Sequence, residues 1–116
     1  MVAASLASTI AANAQNANAG AVNRAGDTYD ACMIAAAQDY APRSGSPERL
    51  AAKAALFCQA ELAQVEKAYT SEFFSALPPA QSAEMAWPFV TQIASAMYEV
   101  ARSEIIRLRI EAEHAQ

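Results

Sequence analysis

The sequence predicts an all-α protein: a disulfide-stapled antiparallel helical hairpin, extended by a third long helix into an up-down-up bundle. Three observations predict it. Of the 116 residues 31 are alanine and only three are glycine, and alanine is the strongest helix former while glycine is among the weakest. Apolar side chains recur at i, i+3, i+4 and i+7 in three stretches bounded by proline or glycine, the period of a helix with one buried face. Two cysteines fall at matched heights on adjacent stretches. Leu, Ile, Val and Phe together number only 21, so the core has few large side chains and a covalent staple matters more.

The first helix is expected to begin at Asp27, an N-cap candidate after Gly26, with Asp30 in the first turn to complement the helix dipole. Its stripe is Tyr29, Cys32, Met33, Ala36, Ala37 and Tyr40, and Ala41-Pro42 ends it because proline clashes with the preceding helical turn. Arg43-Ser44-Gly45 is the turn. Ser46-Pro47-Glu48 then supplies an N-cap, a proline at the first helical position and an acid. From there the second helix is expected to run without a break to Leu77, where Pro78-Pro79 stops it; that is about 45 Å at 1.5 Å per residue. Its stripe is Ala51, Ala54, Cys58, Leu62, Val65, Tyr69 and Phe73, flanked by Leu50 and Phe57. The third helix lies after Pro79 and frays beyond Ile110, with Pro88 either starting it or kinking it. Its stripe is Phe89, Val90, Ile93, Met97, Val100, Ala101, Glu104 and Leu108.

Cys32 lies ten residues before Pro42, and Cys58 eleven residues after Pro47. Two helices joined by a short turn pack antiparallel, so each cysteine sits about 15–16 Å up its own helix. Both lie on the apolar stripe and therefore face each other, as a disulfide requires. Such a bond forms and persists in oxidising compartments.

The first 23 residues differ from the rest. Every Lys, Arg, Asp and Glu lies at or after Arg24, and all four Asn lie before it. Ala17-Asn18-Ala19 fits the A-x-A pattern read by signal peptidase, with Gly20 next, although a basic leading segment is missing. Residues 1–23 therefore read as a signal-peptide remnant or a disordered Ala/Asn-rich arm, and residues 24–116 as a single helical domain. With the disulfide, this points to a periplasmic or secreted protein.

Composition narrows the chemistry. A pI near 4.8 and a net charge of −4 argue against nucleic acid, whose phosphates require clustered Lys and Arg. No charge-free run is apolar enough to span a membrane. There is no P-loop, GxGxxG or CxxC; the single His114 serves no Ser-His or Cys-His scheme, so no catalytic residue and no cofactor are expected. Two cysteines and one distant histidine do not make a metal site of ordinary spacing. Glu111-Ala112-Glu113-His114 has the Glu-x-x-His spacing of di-iron bundles, with Glu61, Glu72 and Glu104 as conceivable partners, but it occurs once and at a fraying end. Arg102, Arg107 and Arg109, interleaved with glutamates, read as a solvated face with i, i+4 pairs.

The aromatics carry the functional expectation. Tyr69, Phe73, Phe74, Trp87 and Phe89 gather around Pro78-Pro79, far from the disulfide. A first helix of fifteen residues, about 22 Å long, is too short to cover them. Phe73 follows the buried stripe, whereas Phe74, about 100° further round, turns away and is the residue expected to be exposed. The reading is a small exported non-enzymatic protein acting through protein–protein binding at this aromatic patch. The alternatives are a self-associating structural protein and a carrier of a small apolar ligand.

Overall fold

The computed structural model describes residues 17–115, with side chains from Gly20 onward. Four helices make up this span: α1 (Ala17–Tyr40), α2 (Pro47–Phe57), α3 (Gln59–Phe73) and α4 (Pro79–Ala115). Helix α1 rises, α2 and α3 together descend, and α4 rises again, so the stapled hairpin with a third long helix is the architecture of the protein. No strand occurs among the described residues.

Helix α1 starts ten residues earlier than Asp27, so Asp27 and Asp30 lie mid-helix and the first turn holds no acid. Away from the dipole's positive end, Asp30 gains no stabilisation. Burial, and then the neighbouring Asp27, push its carboxyl above the ordinary value. The upstream extension has its own pattern: Val22, Ala25 and Gly26 are half-buried and continue the stripe that reaches buried Tyr29 and Met33. Of the N-terminal region read as a signal remnant or arm, residues 1–16 lie outside the described residues, and Ala17-Asn18-Ala19 forms the first turn of α1.

The turn after Tyr40 follows the sequence closely. Gly45 has φ +128°, a conformation L side chains rarely adopt, so glycine is required there. It delivers the chain to Ser46, whose hydroxyl accepts from Arg49 N–H at 3.1 Å, with Pro47 opening α2. Helix α4 begins at Pro79 and runs through Pro88 without interruption. Pro88 lies on the solvent face, as does Glu84. The carbonyl left without its amide partner can therefore be hydrated, and the helix tolerates the lost bond.

The long second helix is two helices. Cys58 (φ −99°, ψ 19°) separates α2 from α3, sitting in the sparsely allowed bridge region. Hydrogen bonds resume on both sides: Cys58 N–H donates to Ala54 O, and Leu62 N–H to Cys58 O. The break falls on the residue bonded to Cys32, and the buried stripe keeps its phase across it, with Val65 buried and Leu62 and Tyr69 packed on the core. Leu50, Ala51, Ala54, Cys58 and Val65 are buried as the stripe requires. Phe57, expected at the flank of the buried face, is 68% exposed.

The main core lies between the C-terminal part of α1, α2, the start of α3 and the distal half of α4. Its large members are Tyr29, Met33, Leu50, Val65 and Ile105, with alanines allowing close helix approach; each large side chain contributes about 1.5–3 kcal/mol by leaving water. Ala86 and Val90 are buried separately, nearer the aromatic end. The Cα extents are 54 × 46 × 17 Å and the radius of gyration is 18.3 Å, against about 13 Å for a compact domain of this size. The fold is thin, with α1, the α2–α3 arm and α4 each packed on the other two.

Candidate interaction site

The disulfide joins Cys32 to Cys58 with Cα atoms 6.0 Å apart, at the heights the turn predicts. It fixes α1 against the α2–α3 junction. From there α3 runs along α1 toward the aromatic end, and the longer α1 follows it. Twenty-four residues give α1 about 36 Å, so the expectation that the first helix stops short of the aromatics is corrected: Val22 and Asn23 reach them.

The result is an open apolar groove of about 560 Å³ lined by Val22, Asn23, Tyr69, Phe73, Phe74 and Phe89. Tyr69 and Phe89 stack across α3 and α4, with ring centroids 5.4 Å apart and planes 14° from parallel. Phe73 tilts onto Tyr69 at 5.8 Å, and Phe74 onto Phe89 at 6.3 Å. Both are favourable offset or tilted contacts. The rotation of Phe73 and Phe74 is the reverse of the sequence expectation. Phe73 is 52% exposed and Phe74 is half-buried. The cause is local: Phe74 is the C-cap (φ −128°, ψ 20°) rather than a helical residue, so its ring folds back toward Phe89 on α4.

Four of the five predicted aromatics therefore meet. Trp87 does not join them. Two residues from Phe89 on a helix is about 200° of rotation, which sends Trp87 to the opposite face, 58% exposed. Phe89 is itself 46% exposed, so both Phe73 and Phe89 present ring surface to the groove mouth.

The charged residues mostly form solvated pairs: Arg102 with Glu99 and Glu48, Arg107 with Glu104 and Glu111. Glu104, which the stripe placed at a buried position, is held by Arg107; the hydrogen bond from that guanidinium sets its carboxyl below the usual value. Arg109 departs from the expected pattern. Its guanidinium donates to Ala41 O at 3.0 Å and Arg43 O at 2.7 Å, clasping the end of α1 where the helix dipole is negative. Glu111 and His114 are exposed on the last turns of α4.

Among the described residues, one grouping brings metal-ligating side chains together: Cys32, Cys58 and Glu61, with ligand atoms all within 4.8 Å. Glu61 Oε2 is buried and has no hydrogen-bond partner. Glu61 lies with the cysteines and not with His114, and its i, i+3 spacing from Cys58 is the signal in the sequence for that placement.

Compared with protein-family models, with characterised proteins and with solved structures, the chain matches none.

Proposed function

We propose that the protein is a small exported, non-enzymatic binding protein whose aromatic groove receives apolar side chains of a protein partner. The observation that carries this reading is the half-exposure of Phe73 and Phe89 in an open groove where Phe89 stacks on Tyr69. Aromatic residues in a partly preformed apolar pocket are the usual centres of binding energy at protein interfaces, and an exposed apolar patch marks such a surface. Export is supported by the Cys32–Cys58 bond and by Ala17-Asn18-Ala19. A second reading, carriage of a small apolar ligand, draws on the same volume, which falls within the range of ligand pockets. The groove's open mouth favours the partner.

The test places a photo-crosslinking amino acid at Phe73, identifies the captured protein by mass spectrometry, and titrates the purified pair. Phe73→Ser should weaken that affinity at least tenfold while leaving the circular dichroism unchanged. Equal affinity in wild type and Phe73→Ser would refute the groove as the binding surface. Native mass spectrometry of freshly purified protein separates the readings: a stoichiometric bound lipid supports the carrier.

A further inference from the structure

The bridged cysteines and Glu61 form a cluster that the binding role does not use. Glu61 stands on the first turn of α3, three residues after Cys58, which brings its carboxylate over the disulfide. One oxygen, Oε2, is shut off from water with no donor near it. A buried carboxylate oxygen without a partner is costly and calls for an explanation. Cys58 is fully buried, while Cys32 and Glu61 are half-buried, so the cluster opens to the surface on one side.

We propose that, once the disulfide is reduced, Cys32, Cys58 and Glu61 bind a thiophilic divalent cation of the Zn²⁺ class. Zinc takes two thiolates at about 2.3 Å and a carboxylate oxygen at about 2.0–2.2 Å in a tetrahedron. Those bond lengths imply sulfur–sulfur and sulfur–oxygen separations of about 3.5–3.8 Å, and the three ligand atoms already lie within 4.8 Å of one another. Breaking the S–S bond lets the sulfurs move apart by that small amount through side-chain rotation alone. Thiolate ligands select zinc over magnesium or calcium. Three protein ligands leave the fourth position for water at the open side.

The chemistry balances in two steps. A dithiol or phosphine reductant supplies two electrons, the S–S bond breaks, and each sulfur takes a proton. Zn²⁺ then displaces both thiol protons to solvent, forming two Zn–S bonds and one Zn–O bond to the ionised Glu61. The metal replaces the disulfide as the link between α1 and the α2–α3 junction, so the same point is held in either redox state.

The experiment uses the full chain, reduced with a phosphine, desalted without oxygen and titrated with Co²⁺ as a spectroscopic probe and then with Zn²⁺. Wild type should bind one equivalent of Co²⁺ with thiolate charge-transfer absorption and tetrahedral visible bands, and Zn²⁺ should displace it. Glu61→Gln should weaken binding at least tenfold, and Cys58→Ser should abolish the charge-transfer band. The oxidised protein should bind nothing. Oxidised Glu61→Gln with wild-type circular dichroism shows that the variant folds. If reduction alone unfolds the chain, Zn²⁺ should restore helix in wild type and not in Glu61→Gln. Absence of the cobalt spectrum in reduced wild type overturns the proposal, as does equal affinity in wild type and Glu61→Gln.

Discussion

Reducing the Cys32–Cys58 bond in the presence of a chelator should lower the melting temperature steeply. The bridge spans a sequence separation of 26. In the chain-entropy treatment, closing such a loop removes about 12 cal/mol/K from the unfolded chain, or about 3.5 kcal/mol at 25 °C. Unfolding entropy near the midpoint is about 2.1 cal/mol/K per residue, hence about 0.2 kcal/mol/K for roughly 100 residues. The quotient is a fall of about 17 °C. Reduction leaves both sulfurs in place, so little packing is lost and the change acts on the unfolded state. Thermal melts followed by far-ultraviolet circular dichroism, on oxidised protein and on protein reduced with a phosphine plus EDTA, measure it directly. A Cys32→Ala, Cys58→Ala double variant should fall by at least as much. A drop of under about 5 °C in both would refute the reasoning, because the loop constraint would then not be what the bridge contributes.

Four further outcomes follow from particular contacts. Arg109→Met should cost about 2 kcal/mol, since the buried Ala41 carbonyl loses a charged donor, whereas Arg107→Met should cost clearly less because the Arg107 guanidinium is exposed and its pairs are screened by water; urea titration of both variants compares them. Gly45→Ala should cost about 1–3 kcal/mol from the strain of its positive φ, read as a lower denaturation midpoint with an unchanged m-value. Phe74→Ala should destabilise more than Phe73→Ser, the latter staying within about 0.5 kcal/mol as for an exposed site; the opposite order in thermal melts would contradict the observed rotation of α3. Glu104 has a lowered folded-state value, so its contribution is present above the unfolded carboxylate value of about 4.3 and is lost as pH falls through the folded one. The difference in melting temperature between wild type and Glu104→Gln should accordingly be widest near neutrality and close below about pH 4.

What the sequence disclosed was whatever short-range chemistry decides. Ser46-Pro47 marks a helix start and Pro78-Pro79 a helix stop because caps and proline act within one turn. The disulfide was legible because a turn of known position sets a common origin for both cysteines. The start of α1 was missed for a different reason. The charge-free composition before Arg24 and the two glycines obscured a short stripe of half-buried residues, Val22 and Ala25, that leads into buried Tyr29. The break at Cys58 left no mark at all. No glycine or proline stands there, and only the tertiary bond to Cys32 distinguishes it from the residues around it. The stripe nevertheless holds past it through Leu62, Val65 and Tyr69; the reading fails at the helix end, where Phe74 is a C-cap and no longer follows helical rotation.

That interruption also divides the molecule by how it is held. The long-range polar clasps all lie on the stapled side: Arg109 on Ala41 and Arg43, Tyr98 Oη on the Glu48 carbonyl at 3.3 Å, and Arg102 reaching Glu48. Around the groove the described side chains meet through aromatic and apolar contact instead. Apolar contacts are non-directional, and regions with few buried contacts open at lower free energy than the core. The two regions are still joined through α3, since Val65 is buried in the same core as Tyr29, Met33 and Leu50 and Tyr69 packs against that core, so the aromatic cluster is anchored at its Tyr69 side and freest at Phe73 and Phe89.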